Sequence, residues 1–572
     1  MKKIIPIQTE VDSYKNNNFK LASKKKALII ILPYFVGKTD ALGAKTRSFL
    51  SFPYGPLTIA SYVNKKSKNN SDVEILDLNL TEAYETQDLL EIIKKRLSAI
   101  KIDVLGFSFM FDTSFPYLMS LSKGLKISYP TLPIIVGGAA ATTGYEELLD
   151  LLDSVDAVCY GEGEQAMLDL LDFSEEIEFG GAAARVPWIT KKNLKKPDTN
   201  YVESLDDVVD LDYSLVDTKK YSMKESFSPF AAYRYQKKEI NQFFLVTSRG
   251  CPFKCTFCAE PSLHGAKMRF ASVEKIISHV SYLKETYDIN VLTLYDDQLL
   301  IDLPRAKNLF RELKRFNLRI EMPNGVTAVF IDQELAFLMK EAGVDTIPLA
   351  IESGSDYVLR NIIIKPLRLN KLPKIVGYLR KAKIFVIGYF VIGMPGEEDS
   401  HRKETYDLIK SVDLDWASFS IAAPVRGSEL YKQAKLNGWL PPNYGLGSFE
   451  GNQSVLNIPG RDPADIEKQT FYLNLRCNFV ENRSLRTSDY ETAERLFKEV
   501  SERTESHAFA LYFLAVTKHF LGDLMGKNEA FLQYVEITDK ADKWKMASDY
   551  FQLASSVEAF DIQMQKFERI SA

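Results

Sequence analysis

Ser248-Arg249-Gly250-Cys251-Pro252-Phe253-Lys254-Cys255-Thr256-Phe257-Cys258-Ala259-Glu260 sets three thiols in a C-x3-C-x2-C array. Thiolates this close in sequence can all turn toward one small inorganic centre, and soft sulfur selects zinc or an iron–sulfur cluster. A structural zinc site wants four protein ligands, commonly as two separated pairs. The only other cysteines are the isolated Cys159 and Cys477, and His264, six residues beyond Cys258, could complete a zinc site. A cluster held by three thiolates would instead leave one iron open to bind something else.

Strand and helix patterns alternate from the residues just before this loop to about residue 440. Phe243–Thr247 reads as a strand running straight into the cysteines, followed by helices over Val273–Tyr287, Pro304–Phe316, Asp332–Ala342, Lys371–Ala382 and His401–Val412. The strands between and after them are Val291–Tyr295, Arg319–Met322, Thr346–Ile351, Phe385–Ile392 and Trp416–Ala422. Six βα units predict a partial (βα)6 barrel of the TIM type, with functional residues at the carboxyl ends of the strands. Those ends carry Asp296-Asp297, Asn324-Gly325, Glu352-Ser353-Gly354-Ser355, Gly393-Met394-Pro395-Gly396-Glu397 and Pro424-Val425-Arg426-Gly427. Asp296 and Asp297 could bind substrate, close the barrel or simply end a strand. Arg426 could serve an anion or a structural salt bridge.

A second alternating region precedes the barrel. Strands are expected at Ala27–Phe35, Val73–Leu78, Val104–Phe109, Pro133–Gly137 and Ala157–Tyr160, with helices at Gly55–Lys65, Asp88–Ile100 and Phe115–Ser128. This predicts a doubly wound, Rossmann-like or flavodoxin-like parallel sheet, whose ligand would lie beyond the carboxyl ends of the strands. The loops there, Gly106–Ser114, Gly137–Gly144 and Tyr160–Glu164, are rich in small residues that let a backbone approach a large ligand closely. The expected division is a polar tail over 1–26, the doubly wound domain over 27–172, a linker over 173–240, the barrel over 241–450 and a helical domain over 451–572. Lys24–Lys26 followed by Ala27–Gly37 has the order of a signal peptide. Pro33 and the missing cleavage site favour a buried first strand instead. The linker's acidic run from Asp206 to Asp217 reads as a solvated face.

Composition excludes several classes. A net charge of −4 and a pI near 6.0 over 572 residues argue against nucleic acid as a partner. Five cysteines, three of them in one loop, leave no disulfide framework and suit a reducing cytoplasm. No apolar run is long enough to span a membrane.

The cysteine array, with Phe257 just before the last cysteine, resembles the signature of the radical S-adenosylmethionine (radical SAM) enzymes. The resemblance implies a [4Fe–4S] cluster on Cys251, Cys255 and Cys258 as the metal ligands and catalytic centre, with S-adenosylmethionine on the open iron. It also implies contacts to that cofactor from Phe257, Glu352, Ser353, Gly393, Pro395 and Gly396. Upstream, Tyr54-Gly55-Pro56-Leu57, Gly106-Phe107-Ser108, Val136-Gly137-Gly138 and Gly161-Glu162-Gly163-Glu164 resemble the cobalamin-binding domain of one radical SAM subgroup, the class B methyltransferases. That likeness implies cobalamin contacts at Gly55, Ser108, Gly137, Gly138, Gly161 and Glu162; a flavodoxin-like domain with another nucleotide, or none, is the bland alternative. The five histidines are His264, His279, His401, His507 and His519, so the domain over 27–172 can supply no histidine ligand to cobalt.

The function implied is C-methylation of an unactivated carbon through a 5′-deoxyadenosyl radical and methylcobalamin. The alternatives are a non-methylating relative catalysing oxidative cyclisation, ring contraction or C–C bond formation, and a metal-stabilised binding protein without chemistry. The expected partners are a small-molecule, lipid or peptide substrate and an electron donor such as flavodoxin or ferredoxin. Enzymes of this superfamily with extra clusters are not matched, because Cys159 and Cys477 stand alone.

Overall fold

The structure, a computed structural model, describes residues 23–34, 38–39, 45–46, 52–83, 85–173, 188–195, 201–221, 240–448, 453–504 and 506–571. The expected N-terminal tail lies almost wholly outside them. The chain forms two compact units: residues 1–222 with 262–264 and 445–449, and residues 223–261, 265–444 and 450–572.

The first unit is a doubly wound α/β layer. Lys-Ala-Leu-Ile-Ile-Ile is a nearly unbroken apolar run, as a strand covered on both faces requires, and it forms β1 (Lys26–Ile31), buried throughout except at Lys26. Then come α1 (Tyr54–Lys66), β2 (Asp72–Asp77), α2 (Thr86–Ala99), β3 (Val104–Ser108), α3 (Phe115–Ser128), β4 (Ile134–Gly137), α4 (Ala139–Leu151), β5 (Ala157–Cys159), α5 (Glu164–Phe173) and β6 (Trp188–Ile189). The sheet order is β2-β1-β3-β4-β5-β6, parallel but for β6. Helix α3 occupies the residues expected, whereas α4 starts only one residue after Gly138, where a loop to Gly144 was expected. Ala139-Ala140-Ala141 are good helix formers, and Gly138 at φ 110° makes the turn that starts them. The segment after β6 is not bare linker. Val208, Val209, Leu211 and Tyr213 are buried, while Asp207 and Asp210 pair with Lys66 and Lys65 at 2.6 and 2.5 Å.

In the second unit, six parallel strands follow one another around an arc. They are β7 (Gln242–Leu245), then, past a short hairpin β8 (Ser248–Arg249) and β9 (Arg269–Phe270), β10 (Val291–Leu294), β11 (Arg319–Glu321), β12 (Thr346–Glu352), β13 (Phe385–Ile392) and β14 (Trp416–Ile421). Two three-stranded ladders, β11-β10-β7 and β12-β13-β14, meet through the parallel bridge between Val326 and Leu349. The intervening helices are α6 (Val273–Tyr287), α7 (Leu303–Leu313), α8 (Gln333–Ala342), α9 (Leu372–Lys381) and α10 (Asp399–Val412). This is the partial barrel the alternation predicts.

After α11 (Glu429–Leu436) come α12 (Pro463–Leu475), α13 (Tyr490–Arg503), α14 (Ala508–Phe520), α15 (Leu524–Lys540), α16 (Asp542–Tyr550) and α17 (Val557–Ser571). Their core is aromatic, with Phe479, Phe497, Phe509, Tyr512, Phe531 and Tyr534 buried. Asn478 closes the open edge of β14, accepting from Ala417 N–H at 2.8 Å and donating to Ala417 C=O at 2.6 Å. Among the described residues no helix is long and apolar enough to cross a membrane.

His507 gives this helical region a pH dependence. Its Nδ1 accepts the Ala510 N–H at 3.1 Å, capping α14, and its ring lies 4.8 Å from that of Trp544. Burial holds its pKa down to about 4, against an ordinary 6.5. The unfolded chain therefore binds a proton that the folded chain refuses between these values. Stability should fall as pH drops from 6.5 toward 4, by up to about 1.4 kcal/mol per pH unit. His507→Asn keeps a capping side chain and should flatten that acid limb in melts followed by tryptophan fluorescence. Equal slopes would contradict the assignment.

Candidate active site

The hairpin β8–β9 brackets the cysteine loop, pairing Ser248 with Phe270 and Arg249 with Arg269. Asp296, at the end of β10, holds the loop's entrance. Its buried carboxylate accepts from Thr247 N–H at 3.1 Å, Thr247 Oγ1 at 2.8 Å and Ser248 Oγ at 2.5 Å. Asp296 thus ties together the ends of the neighbouring strands β7 and β10, and burial raises its pKa against those hydrogen bonds.

Inside the loop each cysteine is fixed by backbone. Cys251 N–H donates to Gly265 C=O at 3.0 Å, Cys258 N–H to Cys255 C=O at 3.0 Å, and Glu260 N–H to Cys258 Sγ at 3.4 Å. Thr256 joins the loop to two other parts of the barrel. It donates to Ile363 C=O at 3.0 Å and Ile362 C=O at 2.8 Å, and its own carbonyl accepts from Leu430 N–H at 2.8 Å. Cys255 and Phe257 pack beside Val358, Ile363 and Met394. Burial pushes the Cys255 thiol up to about 11 and the Cys258 thiol up to about 12, and it raises Cys251 as well. Each thiol also feels at least one of the other two or a nearby carboxylate. Metal that takes these sulfurs must displace protons.

The donor set fits a cluster better than a single ion. Three thiols in one loop are one ligand fewer than a structural zinc site needs. His264, the candidate fourth zinc ligand, has its Nδ1 at 2.8 Å from Glu162 Oε1.

Two further strand ends carry the other residues expected here. A β-bulge between Ala350 and Glu352 ends β12, and Glu352 itself sits at φ 70°. A non-glycine residue in this region is uncommon and marks a backbone shaped for a purpose. Ser353 is fully buried, and its Oγ accepts from Ser355 N–H at 3.2 Å. Gly354 lies against α10: a Cβ there would stand 2.4 Å from Thr405 Cα. At the end of β13, Gly393 and Gly396 take φ 90° and 87° around half-buried Pro395. Glu397 accepts the Gly393 N–H at 2.5 Å, while Arg461 donates to the carbonyls of Gly393 and Met394 at 2.6 and 3.1 Å. Arg461, like Asn478, was invisible in sequence because it acts from far along the chain.

In the first unit, Ser108 and Gly137 lie side by side in register at the ends of β3 and β4. Gly138 leaves no room for a side chain, since a Cβ would meet Phe109 O at 2.6 Å. Gly161, at φ 80°, donates to Thr142 Oγ1 at 3.1 Å, and Glu162 beside it is buried. Gly55 lies in the first turn of α1 with open space where a Cβ would stand. Met110 and Phe111, missed in sequence, leave apolar surface exposed just past β3. Small backbone turns and exposed apolar side chains on one sheet edge suit a large, flat ligand. Arg426, in the other unit, donates to Tyr431 OH at 3.0 Å and lies over the rings of Tyr431 and Tyr444.

The described chain thus pairs a partial parallel barrel that carries the three-cysteine loop with a doubly wound α/β unit. Residues 245–409 match the Radical SAM superfamily and residues 46–171 the B12 binding domain. The chain belongs to the B12-binding radical SAM enzymes, a family that implies a [4Fe–4S] cluster, S-adenosylmethionine and cobalamin. It is 28% identical over 451 residues to the cytidylyl-2-hydroxyethylphosphonate methyltransferase of Streptomyces wedmorensis, covering 72% of this chain and 83% of that one. It is 22% identical to the anaerobic magnesium-protoporphyrin IX monomethyl ester cyclase of Rubrivivax gelatinosus, covering 71% of this chain and 70% of that one. Its fold is similar to the methyltransferase TsrM of Kitasatospora setae with cobalamin and [4Fe–4S] cluster bound, at TM-score 0.55 and 15% identity over 90% of this chain and 99% of that one. It is also similar to the cobalamin-dependent radical enzyme OxsB, at TM-score 0.57 and 14% identity over 96% of this chain and 84% of that one.

Proposed function

We propose that this chain is a C-methyltransferase acting on an unactivated carbon of a small molecule, using one-electron reducing power from a flavodoxin- or ferredoxin-like donor. The observation that carries the reading is the pairing, in one chain, of the three-cysteine barrel with a doubly wound unit that matches the B12 binding domain. The methyltransferase relative, aligned over 72% of this chain, supports it. When bound, the cluster with S-adenosylmethionine supplies hydrogen-atom abstraction, and cobalamin supplies the methyl group.

The chain's own residues bind and orient. Cys251, Cys255 and Cys258 hold the cluster. Glu352 and Ser353, with Phe257 nearby in sequence to the last thiolate, meet the polar end of S-adenosylmethionine. Gly393, Pro395 and Gly396, fixed from behind by Glu397 and Arg461, offer it bare backbone. In the other unit Gly55, Ser108, Gly137, Gly138, Gly161 and Glu162 receive cobalamin. The chain gives cobalt no histidine from residues 27–172, and the one histidine grouped with that unit, His264, is engaged with Glu162.

A second reading, a cyclase that makes no methyl transfer, has a specific basis in the cyclase relative. The two are separated by the fate of S-adenosylmethionine carrying a deuterated methyl group. The reduced, cobalamin-loaded enzyme is given the small-molecule fraction of a cell extract. Methylation predicts S-adenosylhomocysteine and 5′-deoxyadenosine in equal amounts, with the label on carbon in a product. 5′-Deoxyadenosine without S-adenosylhomocysteine, while a substrate is consumed, would favour the cyclase reading.

A further inference from the structure

Past Glu352 the chain makes a single π-helical turn over Val358–Ile363, passes Ile364 at φ 60°, and brings Lys365 back to the strand end it left. Lys365 Nζ lies 2.9 Å from Glu352 Oε1, with only 9% and 10% of the two side chains exposed. Taking both charges out of water is expensive, and an apolar pair of similar volume would serve stability as well or better. The pair is therefore poorly explained by stability alone.

Its position offers another reason. Thr256, the neighbour of Cys255, donates to the carbonyls of Ile362 and Ile363, so the turn that carries Lys365 is tied to the cysteine loop. Cys255 packs against an apolar cluster that includes Val358 and Ile363 of that same turn. Burial would lower the Lys365 pKa, but Glu352, Cys255 and Cys251 together raise it, so the ammonium stays charged. Lys365 and Glu352 act electrostatically on Cys255 in opposite directions, the lysine favouring the thiolate.

We propose that Lys365 is a positioning residue for the cluster's charge: its buried ammonium raises the reduction potential of the iron–sulfur centre, with Glu352 as the counter-charge that moderates it. Reduction adds an electron from an external one-electron donor to a centre already negative through its thiolates. A buried cation close by stabilises the reduced form more than the oxidised one, and net charge is among the factors that set such potentials. This rests on the cluster reading, and the test separates the two by counting iron first.

Wild type, Lys365→Met, Lys365→Arg and Glu352→Gln are reconstituted without oxygen, and iron and sulfide are measured per chain. The reduced cluster is then followed by electron paramagnetic resonance in a redox titration without S-adenosylmethionine. Lys365→Met should keep its iron but show a tenfold lower ratio of reduced to oxidised cluster at a fixed potential, a shift of about 59 mV for one electron. Lys365→Arg should titrate like wild type, and Glu352→Gln should move the other way. A merely structural pair predicts no such opposition of sign. An unchanged potential in Lys365→Met, or the same direction in Lys365→Met and Glu352→Gln, would overturn the proposal. If Lys365→Met cannot hold iron, Glu352→Gln decides: an unchanged or lowered potential there overturns it. Iron missing from wild type would instead defeat the cluster reading itself.

Discussion

Cys255→Ala is expected to purify without a cluster, falling from about four irons per chain to background, and to lose all cleavage of S-adenosylmethionine. Cys255 sits between the other two ligands in sequence, and its neighbour Thr256 ties the loop to the turn at Ile362. Cys477 is the matched control. It lies in the π-helical turn Arg476–Val480 among the C-terminal helices, where burial pushes its thiol up to about 12. Cys477→Ala should keep full iron and full cleavage. Iron analysis and anaerobic assay of both variants check this, and equal loss in the two would overturn the ligand assignment.

The second large effect is expected from a residue with no chemistry of its own. Gly250, which opens the cysteine loop, has φ 95°, and a Cβ there would stand 2.4 Å from Lys267 O and 3.3 Å from Gly265 O. Neither carbonyl can retreat easily. The hairpin pairs Arg249 with Arg269, and Gly265 C=O already accepts the Cys251 N–H. Gly250→Ala should therefore pull the loop's two ends apart and cut bound iron several-fold, while the far-ultraviolet spectrum stays that of wild type. Gly438 is the contrast, with φ 67° and nothing within 4 Å of an added Cβ. Gly438→Ala should cost about 1 kcal/mol of backbone strain and no iron. Similar iron loss in both would show that the collision at Gly250 is not what matters.

The parts of this fold that sequence reveals are those where burial dictates composition. Strands covered on both faces, such as Ala27–Ile31 and Phe385–Ile392, must be apolar throughout, and their helices must alternate with them. The cysteine spacing is equally legible, because local loop geometry suffices to gather the thiols. What sequence hides depends on distant or small elements. Helix α4 begins in a run of Ala and Thr that also suits a loop, and β6 is two residues long in an otherwise polar stretch. The hairpin β8–β9 pairs residues about twenty positions apart with no tight-turn signal between them. Lys365 and Arg461 carry no motif; only the return of the chain brings one to Glu352 and the other to Gly393. Asp296 was visible, but its partners Thr247 and Ser248 were needed to show that it ties two neighbouring strand ends together.

The central claim is that one chain holds a cluster and cobalamin together. The direct measurement is a metal count on protein produced with cobalamin supplied and purified without oxygen: iron, sulfide and cobalt per chain, with an absorption spectrum. About four irons and close to one cobalt per chain are expected. Iron without cobalt would contradict the claim, leaving a radical enzyme whose doubly wound unit must serve some ligand other than cobalamin.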